Sequence, residues 1–315
     1  MSRLNGRVRD AFLVVGIAVG LTFPVAVQGD EVGGEGVVIP SSVPGGGLEY
    51  VGTDECLDCH EDLEQSFSRN LHSKASYWNA NAVGCEDCHG PGSAHAEEGG
   101  DVRLGSPADL VARASDAVCL TCHDGELNRS YWRGSDHEQL EVTCVSCHSV
   151  HSNFEHMLNN PDQSETCFKC HTDQRTFTFK RSFHPLTDST RKDGLGKMTC
   201  SSCHNAHGSQ SEKLLAANTV NELCYECHAE MQAPVLWEHS PVKENCLNCH
   251  SPHGSNYPNL LVTQRTRLCQ ECHEAGRHQS LAGENISFMV LNRSCNNCHA
   301  QVHGSNHPAG LKLKR

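Results

Sequence analysis

Cysteine and histidine recur together along this chain in one fixed pattern. All twenty cysteines fall into Cys-x-x-Cys pairs, and a histidine directly follows every pair. The ten motifs begin at residues 56, 85, 119, 144, 167, 200, 224, 246, 269 and 295. In the attachment signal of c-type haem, the two thiols add to the vinyl groups of one haem and the next histidine ligates its iron. The pattern therefore predicts ten covalently attached c-type haems, each with one iron.

Paired cysteines also occur in zinc ribbons and disulfide frameworks, but neither requires a histidine directly after each pair. Haem attachment uses every thiol, so we expect no disulfide and no free redox-active cysteine. The predicted haem anchors are Cys56, Cys59, Cys85, Cys88, Cys119, Cys122, Cys144, Cys147, Cys167, Cys170, Cys200, Cys203, Cys224, Cys227, Cys246, Cys249, Cys269, Cys272, Cys295 and Cys298. The predicted proximal ligands are His60, His89, His123, His148, His171, His204, His228, His250, His273 and His299.

Twelve further histidines lie outside the motifs, and ten of them follow a period of two motifs. After each odd-numbered motif comes a gap with one histidine, and after each even-numbered motif a histidine follows within a few residues. Each motif pair thus carries two additional histidines, enough for the second axial position of two haems. The predicted distal ligands are His72, His95, His137, His151, His184, His207, His239, His253, His278 and His303. His156 and His307 are left over.

The segment NCLNCHSPHG, residues 245–254, shows how close the two kinds of histidine lie. His253 follows His250 by three residues, which span at most about 10 Å. A path around the rim of the haem to its opposite face is longer than that. We therefore expect His253 to ligate a neighbouring haem, so the segment belongs to two sites.

A second feature with the same period predicts where helices begin. Three residues before each odd motif stands a residue of the helix N-cap type, namely Thr53, Asp116, Ser164, Asn221 and Thr266. Odd motifs are therefore predicted to open short helices. Even motifs, which end in His-Gly-Ser at 207–209, 253–255 and 303–305, are predicted to lie in loops.

Composition points to an interior that side chains alone do not fill. Only 37% of the 315 residues are hydrophobic and 5% aromatic, and ten macrocycles would supply the missing apolar bulk. The predicted fold is a multihaem cytochrome c with short α-helices and a core of stacked haems. Five two-haem units are predicted, at 51–115, 116–163, 164–220, 221–265 and 266–307, in the manner of a repeat protein.

The chain ends predict export and flexible flanks. Arg3, Arg7 and Arg9 precede an apolar stretch over 11–27, so residues 1–29 are predicted to be a cleaved signal peptide that directs the protein to the periplasm. An uncleaved membrane anchor is the alternative. Residues 30–50 read as a flexible leader and 308–315 as a basic tail with no role beyond solvated charge. The formal charge of −13 argues against nucleic acid as a partner.

Haems with two histidine ligands indicate electron transfer rather than bond chemistry, because the iron has no open position for substrate. No motif has lysine in place of histidine, the replacement that marks the active haem of multihaem nitrite reductases. We therefore predict an electron-transfer protein with no catalytic residues. A multihaem reductase stays as a minor alternative.

The segment GCEDCHGPGSAH at 84–95, the CHxxHG sequences at 203–208 and 249–254, and the ten motifs together resemble the MtrA/DmsE family of decahaem cytochromes c. The resemblance covers residues 50–307. It implies an elongated, mostly irregular molecule with little or no β-sheet. Its haems would form one continuous wire inside an outer-membrane β-barrel porin. Electrons would come from periplasmic or inner-membrane donors and pass to an outer-face multihaem cytochrome or a terminal reductase. CHSVHS at 147–152 and CHAQVHG at 298–304 depart from the pattern.

Two alternatives of a different class remain. The chain could be a soluble periplasmic electron shuttle with no barrel partner. It could also be a subunit of a haem filament, in which His156 or His307 ligates a haem of the next chain.

Overall fold

The computed structural model describes residues 48–74, 83–125, 129–186, 198–232, 234–273, 294–308 and 310–314. The predicted signal peptide, most of the leader and His278 lie outside these ranges. The α-helices are α1 Thr53–Leu57, α2 Glu61–Phe67, α3 Leu71–Lys74, α4 Glu86–His89, α5 Ser93–Glu97, α6 Ala112–His123, α7 Asp136–Gln139, α8 Cys144–Cys147, α9 Gln163–Phe168, α10 Thr172–Phe177, α11 Val220–Tyr225, α12 Ser240–Glu244 and α13 Arg265–Cys272.

The prediction of an irregular fold with short helices and little β-structure is confirmed. Among the described residues α6 is the longest helix, at 12 residues, and extended backbone pairs only through isolated bridges. Helices this short are not stable alone in water, so contacts between segments must hold them. None of the helices in the described ranges is long and apolar enough to cross a membrane.

Even motifs share one backbone arrangement. In the second, third and fourth predicted units, the motif histidine forms an antiparallel bridge with a leucine ten or eleven residues later: His148 with Leu158, His204 with Leu215 and His250 with Leu261. The motif itself forms a single helical turn, either α-helical or a 3₁₀ turn such as Cys246–Asn248. The prediction of loop-borne sites is therefore right in general, with one tight turn at each motif.

Odd motifs do not open helices as predicted. Each begins towards the C-terminal end of a helix, at Cys56 in α1, Cys119 in α6, Cys167 in α9, Cys224 in α11 and Cys269 in α13. The residues that precede the first helical position are Gly52, Val111, Asp162, Thr219 and Gln264. The five residues predicted as N-caps are instead inside the helices, so that prediction was wrong.

Three of those five residues connect the two motifs of a predicted unit through a hydrogen bond to a backbone N–H, whereas the hydroxyl of Thr266 is buried without a hydrogen-bond partner among the described residues. The side chains of Asp116 and Asn221 each accept a hydrogen bond from the backbone N–H that opens the following even motif, at Cys144 and Cys246, both at 2.8 Å. Thr53 accepts from the Cys85 N–H at 3.4 Å. The period of two seen in the sequence therefore reflects a tether between motifs.

Glycine allows neighbouring predicted units to pack closely. Gly208 has φ +111°, and a Cβ there would lie 2.1 Å from the carbonyl oxygen of Tyr131. Gly254 has φ +157°, with the carbonyl oxygen of Phe177 at 2.4 Å from such a Cβ. Only glycine fits this approach of one backbone to another. The His-Gly-Ser segments are thus contact points with the preceding unit.

Few apolar side chains of the described residues are buried. Trp132, Phe168 and Leu261 are, whereas Val111 and Phe179 are 79% and 81% exposed. A folded chain of this size normally buries far more apolar surface. The exposed apolar side chains fit the expectation that a large apolar group occupies the interior.

The C-terminal segment is predicted to be a tail, but its described residues form a hydrogen-bonded loop. Residues Gly310–Lys312 form a 3₁₀ turn, and the Leu313 carbonyl accepts from the Gln301 N–H. Equivalent bonds join Ser149 to Met157 and Asn205 to Leu214. The segment predicted as a tail is therefore another copy of the loop that supports each even motif.

Candidate haem-binding sites

The structure brings motif histidines together with histidines from outside the motifs. Eight imidazole pairs have ring centroids 5.9–6.3 Å apart. The pairs are His60–His95, His72–His123, His89–His151, His137–His171, His148–His207, His204–His253, His239–His273 and His250–His303. Every pair joins one predicted proximal ligand to one predicted distal ligand.

The spacing of these rings suits one iron between them. Two imidazoles on opposite sides of a metal, with metal–nitrogen bonds of about 2 Å, have ring centres roughly 6 Å apart. Direct ring stacking would be closer, at about 3.5–4 Å between atoms. The described residues contain no cluster of three or more metal-binding side chains. The paired imidazoles thus fit a haem iron with two histidine ligands.

Most pairs join adjacent predicted units in a regular order. The histidine that closely follows an even motif reaches back to the even motif of the preceding unit, as His207 does to His148. The histidine in the gap after an odd motif reaches forward to the odd motif of the next unit, as His137 does to His171. The exception is His60–His95, a pair within the first predicted unit.

Backbone carbonyls orient the imidazoles. Among the histidines of the even motifs, Nδ1 of His89 lies 2.7 Å from the Gly105 carbonyl oxygen and that of His204 lies 2.8 Å from the Lys213 oxygen. An Nδ1–H that donates to a carbonyl leaves Nε2 unprotonated and available to a metal. The other even motifs use the carbonyls of His156, Asn259 and Lys312 in the same way.

Three of these carbonyls belong to residues with strained backbone. His156, Lys213 and Asn259 have φ of 55°, 59° and 58°. A residue other than glycine in the left-handed region costs on the order of 1 kcal/mol. The same strain at equivalent places in three units indicates that the carbonyl direction matters more than the side chain.

Three distal histidines of the gaps are held by a backbone carbonyl of the next unit, whereas Nδ1 of the fourth described one, His72, is buried without a hydrogen-bond partner among the described residues. Nδ1 of His137 lies 2.8 Å from the Ala206 carbonyl oxygen, and that of His239 lies 2.9 Å from the Val302 oxygen. Each carbonyl belongs to the residue before a distal histidine of the other kind, His207 or His303. Both distal ligands at a junction are therefore fixed by one short segment.

Burial keeps several of these imidazoles neutral. Removal from water lowers the pKa of His72, His123, His148, His151, His207, His253 and His303. For His253 the neighbouring His204 lowers the pKa further. The neutral imidazole is the form that ligates metal.

The cysteines of consecutive motifs lie close enough to influence one another. Burial raises the pKa of the Cys88 thiol to about 11, and Cys119 of the next motif adds to this. At least one such pair occurs at each of the nine junctions between consecutive motifs, for example Cys56–Cys85, Cys88–Cys119, Cys119–Cys144, Cys147–Cys170, Cys167–Cys200, Cys203–Cys227, Cys224–Cys246, Cys249–Cys272 and Cys269–Cys295. Together they link the ten attachment sites in sequence order.

Some predicted ligands are not among the eight pairs. His184, His228 and His299 lie in the described residues, and His278 lies outside them. His184 still has its Nδ1 2.7 Å from the Pro252 carbonyl oxygen, the arrangement that His137 and His239 show. The segments at 147–152 and 298–304 depart from the family pattern, yet their histidines His151 and His303 both have partner rings.

The sequence analysis missed one role, that of the residues whose backbone carbonyls orient the histidines of the even motifs. His156 is not a ligand to a haem within this chain, because its side chain is exposed beside Glu155 and only its carbonyl contacts a motif histidine. Lys213 and Asn259 hold the same position in other units, which an alignment of the units against one another would have shown. His253 pairs with His204, as its predicted role toward a neighbouring haem requires.

Known proteins share these motifs. A family model for a doubled CXXCH motif matches residues 194–233 and 239–278, and a model for NrfB-like cytochrome c-type proteins matches 85–170. The multiheme cytochrome MtrA of Shewanella baltica is 42% identical over 279 residues, 84% of this chain and 81% of that protein. The chain belongs to the MtrA family of multihaem c-type cytochromes. The family resemblance seen in the sequence is thereby confirmed.

More distant relatives of this MtrA-family chain are also multihaem cytochromes. The cytochrome c-type protein NrfB of Escherichia coli O6:H1 is 38% identical over 131 residues, 38% of this chain and 66% of NrfB. The C-type polyheme cytochrome OmcB of Geobacter sulfurreducens is 23% identical over 217 residues, 58% of this chain but only 26% of OmcB. The chain therefore carries covalently bound c-type haem and takes part in electron transfer.

Proposed function

We propose that the chain holds ten haems, each with two histidine ligands, and conducts electrons along them across the outer membrane. The observation that carries the proposal is the set of eight imidazole pairs, together with the unbroken order of neighbouring cysteines. When bound, each haem supplies an iron that gains and loses one electron. The protein holds the imidazoles in place through backbone carbonyls, so little ligand movement accompanies each change of charge.

The number of ten haems follows if every motif binds a haem in the way proposed for the motifs whose histidines form imidazole pairs. Cysteines at each motif anchor the macrocycle, the motif histidine ligates one face, and a second histidine, from an adjacent unit or at the two ends from the same unit, ligates the other. With both axial positions filled, the iron offers no site for substrate. An electron-transfer protein therefore accounts for the arrangement better than a reductase does.

The route across the outer membrane is proposed from family membership. The N-terminal pattern over residues 1–29 supports export to the periplasm. Ligands that alternate between units favour a rigid rod of haems over a set of independent domains, which suits insertion in a β-barrel porin. Donors on the periplasmic or inner-membrane side, and an outer-face multihaem cytochrome or terminal reductase, would complete the path.

Two measurements on the purified mature protein test the haem sites. Intact mass should show ten haems on a chain that begins near residue 30, and electron paramagnetic resonance should show low-spin ferric haem alone. Fewer than ten haems, or a strong high-spin signal, would overturn the proposed ligand set.

The barrel partner requires a separate test. Affinity purification of the tagged chain in mild detergent should retain an outer-membrane β-barrel protein. Liposomes containing both should allow external dithionite to reduce trapped methyl viologen, whereas liposomes with the barrel alone should not. Recovery of the chain without any barrel, and no reduction inside the liposomes, would favour the periplasmic shuttle.

A further inference from the structure

Asp116 places a carboxylate in the interior beside two haem motifs. It lies in α6, three residues before Cys119, and only 5% of its surface is exposed. One oxygen accepts a hydrogen bond from the Cys144 N–H and the other from the Trp132 indole N–H, both at 2.8 Å. Both groups can only donate. The geometry therefore suits the ionised carboxylate, whose two oxygens both accept.

The charge at this position is specific to the second predicted unit. The equivalent residues in the other units are Thr53, Ser164, Asn221 and Thr266, all neutral. Asn221 makes the same hydrogen bond to the Cys246 N–H at 2.8 Å. The hydrogen bond that connects the two motifs thus requires an acceptor but no charge. The negative charge of Asp116 is therefore not needed for that hydrogen bond.

The carboxylate reaches one proposed haem site from both sides. On the proximal side it contacts Cys144, the first anchor of the motif that ends in His148. On the distal side it contacts Trp132, a buried residue whose ring centroid is 6.4 Å from that of His207. His207 is the imidazole paired with His148. Asp116 forms no ion pair within the described residues. Arg129 contributes a positive charge that acts on both His148 and His207, and a substitution of Asp116 leaves that charge unchanged.

We propose that Asp116 lowers the reduction potential of the haem anchored by Cys144 and Cys147 relative to its counterpart at Cys246 and Cys249. Reduction adds one electron to the iron and changes no covalent bond, and a fixed negative charge nearby disfavours it. At an effective dielectric constant of about 20, a unit charge about 10 Å away changes such an equilibrium roughly tenfold. Tenfold corresponds to 59 mV for one electron. The inference rests on the proposed haem assignment.

Redox titration of the holoprotein with dithionite tests the charge directly. In Asp116→Asn, a tenth to a fifth of the haem absorbance, corresponding to one or two of the ten haems, should titrate at a higher potential. In the reciprocal variant Asn221→Asp, a similar fraction should move to a lower potential. Glu244→Gln removes an exposed charge near the same motif as Asn221, and solvent screening should leave its titration unchanged.

A further variant separates charge from packing. Trp132→Phe keeps the carboxylate but removes the indole donor, so its titration should stay in place or move to lower potential. Equal upward shifts in Trp132→Phe and Asp116→Asn would mean that packing around His207 sets the potential, and would overturn the proposal. Superimposable curves for Asp116→Asn and the parent protein would overturn it as well.

Failure of the proposed haem assignment would give a different result from failure of the proposed role of Asp116. Intact mass and the low-spin resonance signals are measured first on every variant. A parent protein without haem at Cys144 would contradict the proposed function before any titration. If Asp116→Asn does not mature with its full haem content, Asn221→Asp decides the question, because it adds a charge and keeps the acceptor.

Discussion

Several residues in this protein matter because of the orientation of one atom, either a backbone carbonyl oxygen or an imidazole nitrogen. In seven of the eight pairs, Nδ1 of one imidazole lies within hydrogen-bonding distance of a backbone carbonyl, and an Nδ1–H that donates there leaves Nε2 unprotonated. Residues such as Lys213 and Asn259 contribute only that carbonyl, at the cost of a positive φ. His253 lies in the same ten-residue segment as His250 yet pairs with His204. Nearness in sequence is therefore a poor guide to which imidazoles share an iron.

Pairing of His204 with His253 predicts the outcome of a double substitution. His204→Ala and His253→Ala should each create one haem that binds carbon monoxide when reduced. The double variant should still have only one such haem, because both ligands belong to the same iron. Spectrophotometric titration with carbon monoxide counts these haems.

A matched control uses two ligands assigned to different irons. His250→Ala with His253→Ala should produce two carbon-monoxide-binding haems, since His250 pairs with His303. Two such haems in the His204→Ala, His253→Ala variant would show that the pairing is wrong.

The secondary-structure elements are too short to persist without tertiary contacts, so local hydrogen bonds and motif-to-motif tethers matter at this scale. In α11, Thr219 accepts from the Glu222 N–H while the Glu222 side chain accepts from the Thr219 N–H. This is a capping box, with two otherwise unpaired amides satisfied. Helix α11 then presents Asn221 to the following motif. Loss of the cap should loosen both the helix and its tether.

Thr219→Ala should destabilise α11 by about 1 kcal/mol. Local opening would then be about fivefold more frequent, and amide hydrogens of α11 should exchange correspondingly faster. Hydrogen exchange with mass spectrometry of the holoprotein measures this. Asn218→Ala, at an exposed neighbouring position, is the control and should exchange like the parent. An unchanged rate in Thr219→Ala would contradict a role for the cap.

At the scale of the whole molecule, ligands exchanged between adjacent units couple the units in both directions. Apart from His60, the paired histidine of an even motif lies beside one from the following unit and that of an odd motif beside one from the preceding unit. The rule leaves two assignments to be inferred. His184 should serve the iron of His228, and His278, like His95 at the other end, should serve a haem of its own unit, that of His299.

The inferred pairing of His184 with His228 can be tested by the same carbon monoxide titration, which counts the haems that have lost a ligand. His184→Ala with His228→Ala should give a single haem that binds carbon monoxide. His184→Ala with His171→Ala should give two, because His171 already pairs with His137. Two in the first variant would break the rule at the third junction.

Sequence by itself determined the chemistry of this protein. Covalent haem attachment needs two thiols and a histidine at fixed spacing, a local requirement that is complete within five residues. The count of motifs, the excess of histidines and the scarcity of apolar residues are likewise properties of the chain alone. The scarcity of regular secondary structure was also predicted, from the family resemblance that the motifs carry.

Only the tertiary structure decided which histidine meets which, and what the residues before the odd motifs do. A distal histidine binds an iron that another segment carries, so its partner depends on how units pack and not on spacing. Asp116 and Asn221 have side chains that suit a helix cap and a tether equally well, because each offers an oxygen to an N–H. That N–H belongs to a motif 25 or more residues away, and a contact at that separation exists only once the chain has folded.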